Sequence, residues 1–253
     1  MRIKNNLMSI IFQDFDSRYF IEIILIIGIC ATVYFSYIQS ISISPHLNFG
    51  YPEIGVLFFF KQYLYYASYP LFTIFYIVTI VISSYEVFLF SSSIVRNKFL
   101  VMYSMGFRKN SIILSYFILF VIYPLLILSI SYFVISYVDF FSIEYYIIWH
   151  LVLFTFISLM FFISIGMVLS AITKNLLIPG AFIIIFFYFL VPLVYIRPQN
   201  TILYHVVNPV YGYLNYGFNH ITFIGVIIEV LLSLMFIFLT MLIARYRDMK
   251  VVR

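Results

Sequence analysis

The chain has 253 residues, of which 65% are hydrophobic and 9% charged, with a mean hydropathy of +1.12. Soluble domains carry about a quarter charged residues, so there is almost no room here for a water-soluble domain. Lys and Arg outnumber Asp and Glu 14 to 9, but the cations stand at the ends of apolar runs, which excludes nucleic acid as the partner and points to a lipid bilayer. The single cysteine, Cys30, excludes an intrachain disulfide and a cysteine-held metal cluster.

In chain order, Met8, Ile11, Phe12, Phe15 and Tyr19 recur at helical spacing, while Asn5, Ser9, Gln13, Asp16 and Ser17 take other positions. This predicts an amphipathic helix over about 3–19, lying in the membrane interface. A bilayer crossing needs roughly 20 apolar residues. Six stretches qualify: Phe20–Ile38, Tyr69–Phe90, Ser111–Tyr137, Tyr146–Ile172, Leu176–Ile196 and Thr222–Ala244. No small-residue cleavage site follows the first, so it reads as a retained helix. Glu22, Glu86 and Glu229 are the only formal charges inside these runs, and Pro124 and Pro179 are placed to break the third and fifth. The expected fold is an all-α integral membrane protein with one transmembrane domain over 1–253 and no internal repeat.

The loops carry the orientation. With a cytoplasmic N-terminus, the outer loops hold only Lys61 and Arg197 of the 14 Lys and Arg residues. Basic residues concentrate on the cytoplasmic side, so both termini are expected there, in the plasma membrane, with Tyr145 and Trp149 at the outer interface. The outer segment Arg197–Ile221 contains ILYHVVNPVYGYLNYGF. It is too apolar for a free loop and too broken by Pro209, Gly212 and Gly217 for a span, which predicts short re-entrant outer helices.

Residues for catalysis are missing from the pattern. His46, His150, His205 and His220 all map to outer loops or their edges, and no His-x-x-x-His pair occurs. Gly212 and Gly217 have the spacing of a phosphate loop, but Phe218 and Asn219 follow where Lys and Ser or Thr are required. No catalytic, cofactor or metal site is expected on this chain, which is not expected to be an enzyme by itself. If ATP is used, another chain binds it.

The cytoplasmic loop SSSIVRNKFLVMYSMGFRKNSI concentrates Arg96, Lys98, Arg108 and Lys109. At helical spacing Val95, Phe99, Met102, Tyr103 and Gly106 form one apolar ridge. Gly106 suits a helix C-terminus, Phe107 follows it, and Asn110 or Ser111 is placed to cap the next helix. The expected run is span, surface helix, sharp turn, span.

The phrase RNKFLVMYSMGFRKNSI resembles the coupling loop of FtsX/MacB-like permeases, with Lys98 where that family has an acid. The whole chain resembles an ABC-2 type ABC transporter permease. The likeness lies in the interfacial helix, six spans, the basic loop after the second, a TKN turn after the fourth, the VVNPVYGYL segment and the basic ARYRDMKVVR tail. Glu86 resembles an acid near the end of that family's second span. The resemblance implies a transmembrane subunit, an exporter by family. It implies a separate cytoplasmic ABC ATPase that carries ATP and Mg, and a second permease copy or paralogue. Residues 96–109 would touch the ATPase.

Other classes stay open. A secondary transporter or channel subunit would use an intramembrane acid such as Glu229. A non-transporting membrane sensor or immunity subunit fits the same architecture. For Glu229 itself there are three readings: a hydrogen bond to a Tyr or a backbone group, a place on a path between two permease copies, or ion coupling.

Overall fold

The computed structural model describes Ile11 and residues 78–138, 145–185 and 220–246. Contacts group the chain into Phe15–Val78 and a second unit of Met1–Asp14 with Thr79–Arg253; the helices below belong to the second unit, apart from Val78. The described residues form six helices and no strand: α1 (Val78–Val95), α2 (Lys98–Ser104), α3 (Lys109–Val138), α4 (Tyr145–Thr173), α5 (178–185) and α6 (His220–Tyr246). Helix is the expected solution for such apolar runs, because in lipid every backbone N–H and C=O must find its partner within the segment.

Four of these helices, α1, α3, α4 and α6, are long and apolar enough to cross a membrane. At about 1.5 Å per residue, the 30 residues of α3 exceed a hydrocarbon core of about 30 Å. The bare faces match that solvent. Leu114, Ile118, Ile122, Leu126 and Ile130 form an exposed stripe along α3, and Phe223, Ile227, Leu231 and Phe238 form another along α6. The architecture is that of a multi-pass membrane protein.

Between the helices, small residues set the approach. Ser91 of α1 and Ser170 of α4 place their hydroxyls 2.7 Å apart. One turn away, a Cβ on Gly166 would collide with Val87, and it would come within 2.9 Å of Ile183 of α5. Ser84 donates to the Gly180 carbonyl at 2.9 Å, and a Cβ on Gly180 would stand 3.0 Å from the Ser84 carbonyl oxygen. Apolar side chains gain little by leaving lipid for one another, so close backbone approach and interhelical hydroxyl bonds take over. The aromatic side supplies the rest: Tyr132 of α3 bonds Thr155 of α4 at 2.6 Å, and Phe161 of α4 lies 6.4 Å from Phe236 of α6.

Three expectations change. The helix expected to end at Phe90 runs on to Val95, because Ser91 and Ser93 donate back to the Val87 and Leu89 carbonyls and stay compatible with the helix. Pro124 lies inside α3 without ending it. Pro179 breaks nothing either. It sits in the first turn of α5, where a missing N–H is tolerated. That turn is capped by Asn175, whose Oδ1 accepts from the Leu177 and Ile178 N–H groups at 2.9 and 3.2 Å. The spans over 20–38 and most of 176–196, the interfacial helix beyond Ile11 (which is helical and buried) and the re-entrant segment before His220 lie outside the described residues.

Candidate functional site

The stretch from Arg96 to Lys109 is the most differentiated part of the described surface. α1 ends in a turn in which Asn97 takes a left-handed conformation, φ 57°. Asn is among the few residues that visit this region readily. The chain then forms α2, seven residues long. Gly106, at φ 93°, ends it. The Gly106 N–H donates to the Tyr103 carbonyl at 3.0 Å and the Phe107 N–H to the Met102 carbonyl at 3.3 Å, the paired bonds of a Schellman turn. A Cβ at Gly106 would meet no atom within 4 Å, so glycine is required there by the backbone and not by crowding.

The underside of α2 is fixed. Phe99 and Met102 are buried. The Phe99 ring stacks on Tyr116 of α3 at 5.5 Å and meets the edge of Phe90 of α1 at 5.4 Å. Tyr116 packs on Phe120 at 5.4 Å, and its hydroxyl donates to Ser93 of α1 at 3.0 Å. One aromatic cluster thus ties α2 to both neighbouring spans.

The upper side is bare. Leu100, Val101, Tyr103 and Met105 are all exposed, Met105 by 57%. Arg96 and Arg108 are exposed beside them, while Lys98 and Lys109 are half-buried. The Lys109 ammonium lies 5.6 Å from the centre of the Tyr103 ring. Phe107 is half-buried after the turn. The stretch from Ser91 to Ile112 contains no acid, and the Ser91–Ser170 contact brings Lys174, at the end of α4, to the same end of the bundle. The result is an apolar knob in a basic collar.

The sequence ridge is therefore divided. Phe99 and Met102 face inward, Tyr103 and Gly106 are exposed, and Val95 is out of phase because left-handed Asn97 resets the rotation between α1 and α2. The first intrahelical bond of α3 runs from the Ile112 N–H to the Arg108 carbonyl, which makes Arg108 the cap residue; Asn110 and Ser111 lie in the first turn instead. Sequence reasoning missed Phe90, Ser93 and Tyr116, which seat α2. Their signal was an aromatic at the end of each flanking span, hidden among 55 Phe and Tyr residues (31 and 24).

The buried acids form a separate feature. Glu86 in α1 and Glu229 in α6 are fully buried, and among the described residues neither carboxyl oxygen of either has a hydrogen-bond partner. Of the three readings open for Glu229, the hydrogen bond to a Tyr or a backbone group is not seen among the described residues. A charge at the centre of a membrane helix costs about 2.5–3.5 kcal/mol on insertion scales, so such positions are costly to keep without a use. Trp149 is 62% exposed, with its ring against Phe133 at 5.7 Å, and the half-buried ring of His150 tilts over Phe154 at 6.5 Å. No group of three His, Cys, Asp or Glu side chains able to hold a metal occurs among the described residues.

Comparison with protein-family models, with curated proteins and with solved structures gives no match.

Proposed function

We propose that this chain is the transmembrane subunit of an ATP-driven transporter of the ABC-2 type, an exporter, working as a pair with a second copy or a paralogue. A separate cytoplasmic ATPase holds ATP and Mg and docks on α2. One observation carries the reading: a seven-residue helix pinned by Phe99 and Met102, ended by the Gly106 turn, and bare at Leu100, Val101, Tyr103 and Met105. Cations that only fixed topology would need neither the anchored underside nor the turn. Both termini and α2 then face the cytoplasm, as the distribution of Lys and Arg favours.

The test is purification of the tagged chain in mild detergent. An ATPase subunit is expected to come with it, and Leu100→Asp with Val101→Asp is expected to release that subunit while leaving membrane insertion intact. A preparation without ATPase, or one in which the double variant retains it, would overturn the reading. Single cysteines check the sidedness: those at Asn97 and Met249 are expected to be shielded from an impermeant thiol reagent in intact cells, and one at Asn200 to react. A second reading, a gradient-driven carrier, is favoured by the partnerless carboxyls of Glu86 and Glu229. Gradient-dependent, ATP-independent transport would establish it.

A further inference from the structure

The Lys and Arg side chains among the described residues all stand at helix ends: Arg96 after α1, Lys98 at the start of α2, Arg108 and Lys109 at the start of α3, Lys174 after α4 and Arg245 near the end of α6. The acids among the described residues are Glu86 and Glu229, both fully buried inside spans. The described surface therefore carries cations and no carboxylate.

Contacts between the helices fix the level of these cations. The rings of Phe90 on α1 and Tyr116 on α3 lie 5.6 Å apart. Arg96 is six residues past Phe90, and Lys109 is seven before Tyr116, about 9 and 10.5 Å at 1.5 Å per residue. α1 and α4 run parallel, since Val87 meets Gly166 one turn before Ser91 meets Ser170. From the serine contact Arg96 is five residues on and Lys174 four, about 7.5 and 6 Å. The ends of α1, α3 and α4 thus bring Arg96, Arg108, Lys109 and Lys174 into one layer, about a single helical turn deep. Leu114, where the exposed stripe of α3 begins, is five residues from Lys109, about 7.5 Å. The headgroup region reaches about 5–7 Å beyond the hydrocarbon on each side, so the layer stands at the depth of lipid phosphates.

We propose that Arg96, Arg108, Lys109 and Lys174 form a binding surface for anionic phospholipid headgroups, and that the chain holds such lipids in preference to neutral ones. The charge of the layer calls for an anionic occupant, and its depth makes that occupant a lipid. Arg96 and Arg108 are exposed, and a guanidinium matches the geometry of a phosphate with two parallel hydrogen bonds. Each basic side chain near a membrane surface strengthens attachment to anionic lipid about fivefold. Leu100, Val101, Tyr103 and Met105 are not part of this surface, so it stands whether or not an ATPase docks on α2.

The purified full chain in a neutral detergent is given equal amounts of phosphatidylglycerol and phosphatidylcholine, and the lipids it retains are counted by native mass spectrometry. Phosphatidylglycerol is expected in excess. The excess should shrink as ammonium acetate is raised from about 0.05 to about 0.5 M, because salt shortens the reach of exposed charges. Arg96→Gln with Arg108→Gln should lower the preference about fivefold for each cation removed, while Arg96→Lys with Arg108→Lys should keep most of it. Equal retention of the two lipids would show that the cations only set orientation, and it overturns the proposal. So does an excess that salt leaves intact, or one that the Gln pair leaves unchanged. The salt series needs no variant, so it decides even if the Gln pair does not fold. No ATPase takes part in the measurement, so its failure is distinct from failure of the transporter reading.

Discussion

The end of the bundle around α2 and the interface between α4 and α6 treat polar groups in opposite ways. At the α2 end the chain turns sharply twice within about a dozen residues. The Gly106 turn bonds its own carbonyls, Lys109 leans on Tyr103, and Arg96 and Arg108 are exposed; among the described residues there, only the Asn97 side-chain oxygen is left buried without a partner. Between α4 and α6 the backbone is regular helix, and a whole carboxyl group is left over. Where water is near, polar residues shape the chain. Where it is absent, a buried polar residue without a partner costs stability.

The two regions should respond to mutation with opposite signs. Phe99→Ala removes the centre of the aromatic cluster and should lower stability by about 3–5 kcal/mol, the range for a buried Phe cut to Ala, read as unfolding in mild detergent. Glu229→Leu should instead raise stability by about 1–3 kcal/mol, the cost of an unsatisfied buried polar group. A loss of stability in that variant would mean that the carboxyl is structural after all, and the contrast would disappear. Gly106→Ala should lower stability by about 1–2 kcal/mol, the left-handed penalty alone, because its Cβ enters open space; Gly106→Asn should recover part of the loss. Lys109→Gln is the mildest, about 0.5–1 kcal/mol for a half-buried cation over an exposed ring, and the small loss should vanish when Tyr103 is already Leu.

What the sequence made readable follows the same divide. Apolar length placed four of the spans, since hydropathy is a direct record of the solvent each segment meets. Glycine at position 106 announced its own turn, because few other residues tolerate that φ. The rotation of α2 was not legible. It depends on Asn97 taking a left-handed conformation, and Asn permits this without requiring it. Nor did the sequence show that Ser91 and Ser93 continue α1, since serine is as much at home in a loop as in a helix whose carbonyls it can bond. Glu229 was visible as a costly residue, but only packing could show that none of the described residues bonds its carboxyl.

The shortness of α2 has its own meaning. Seven residues make two turns, too few to hold a helix in water without help. This helix therefore persists only while Phe90 and Tyr116 stay close enough together to grip Phe99. Its amide protons act as a built-in gauge: their exchange with deuterated solvent should rise whenever α1 and α3 separate at that end, whatever causes the separation. A segment on the outside of the molecule thus reports on the spacing of two helices within it, and it can be read without placing any label in the membrane.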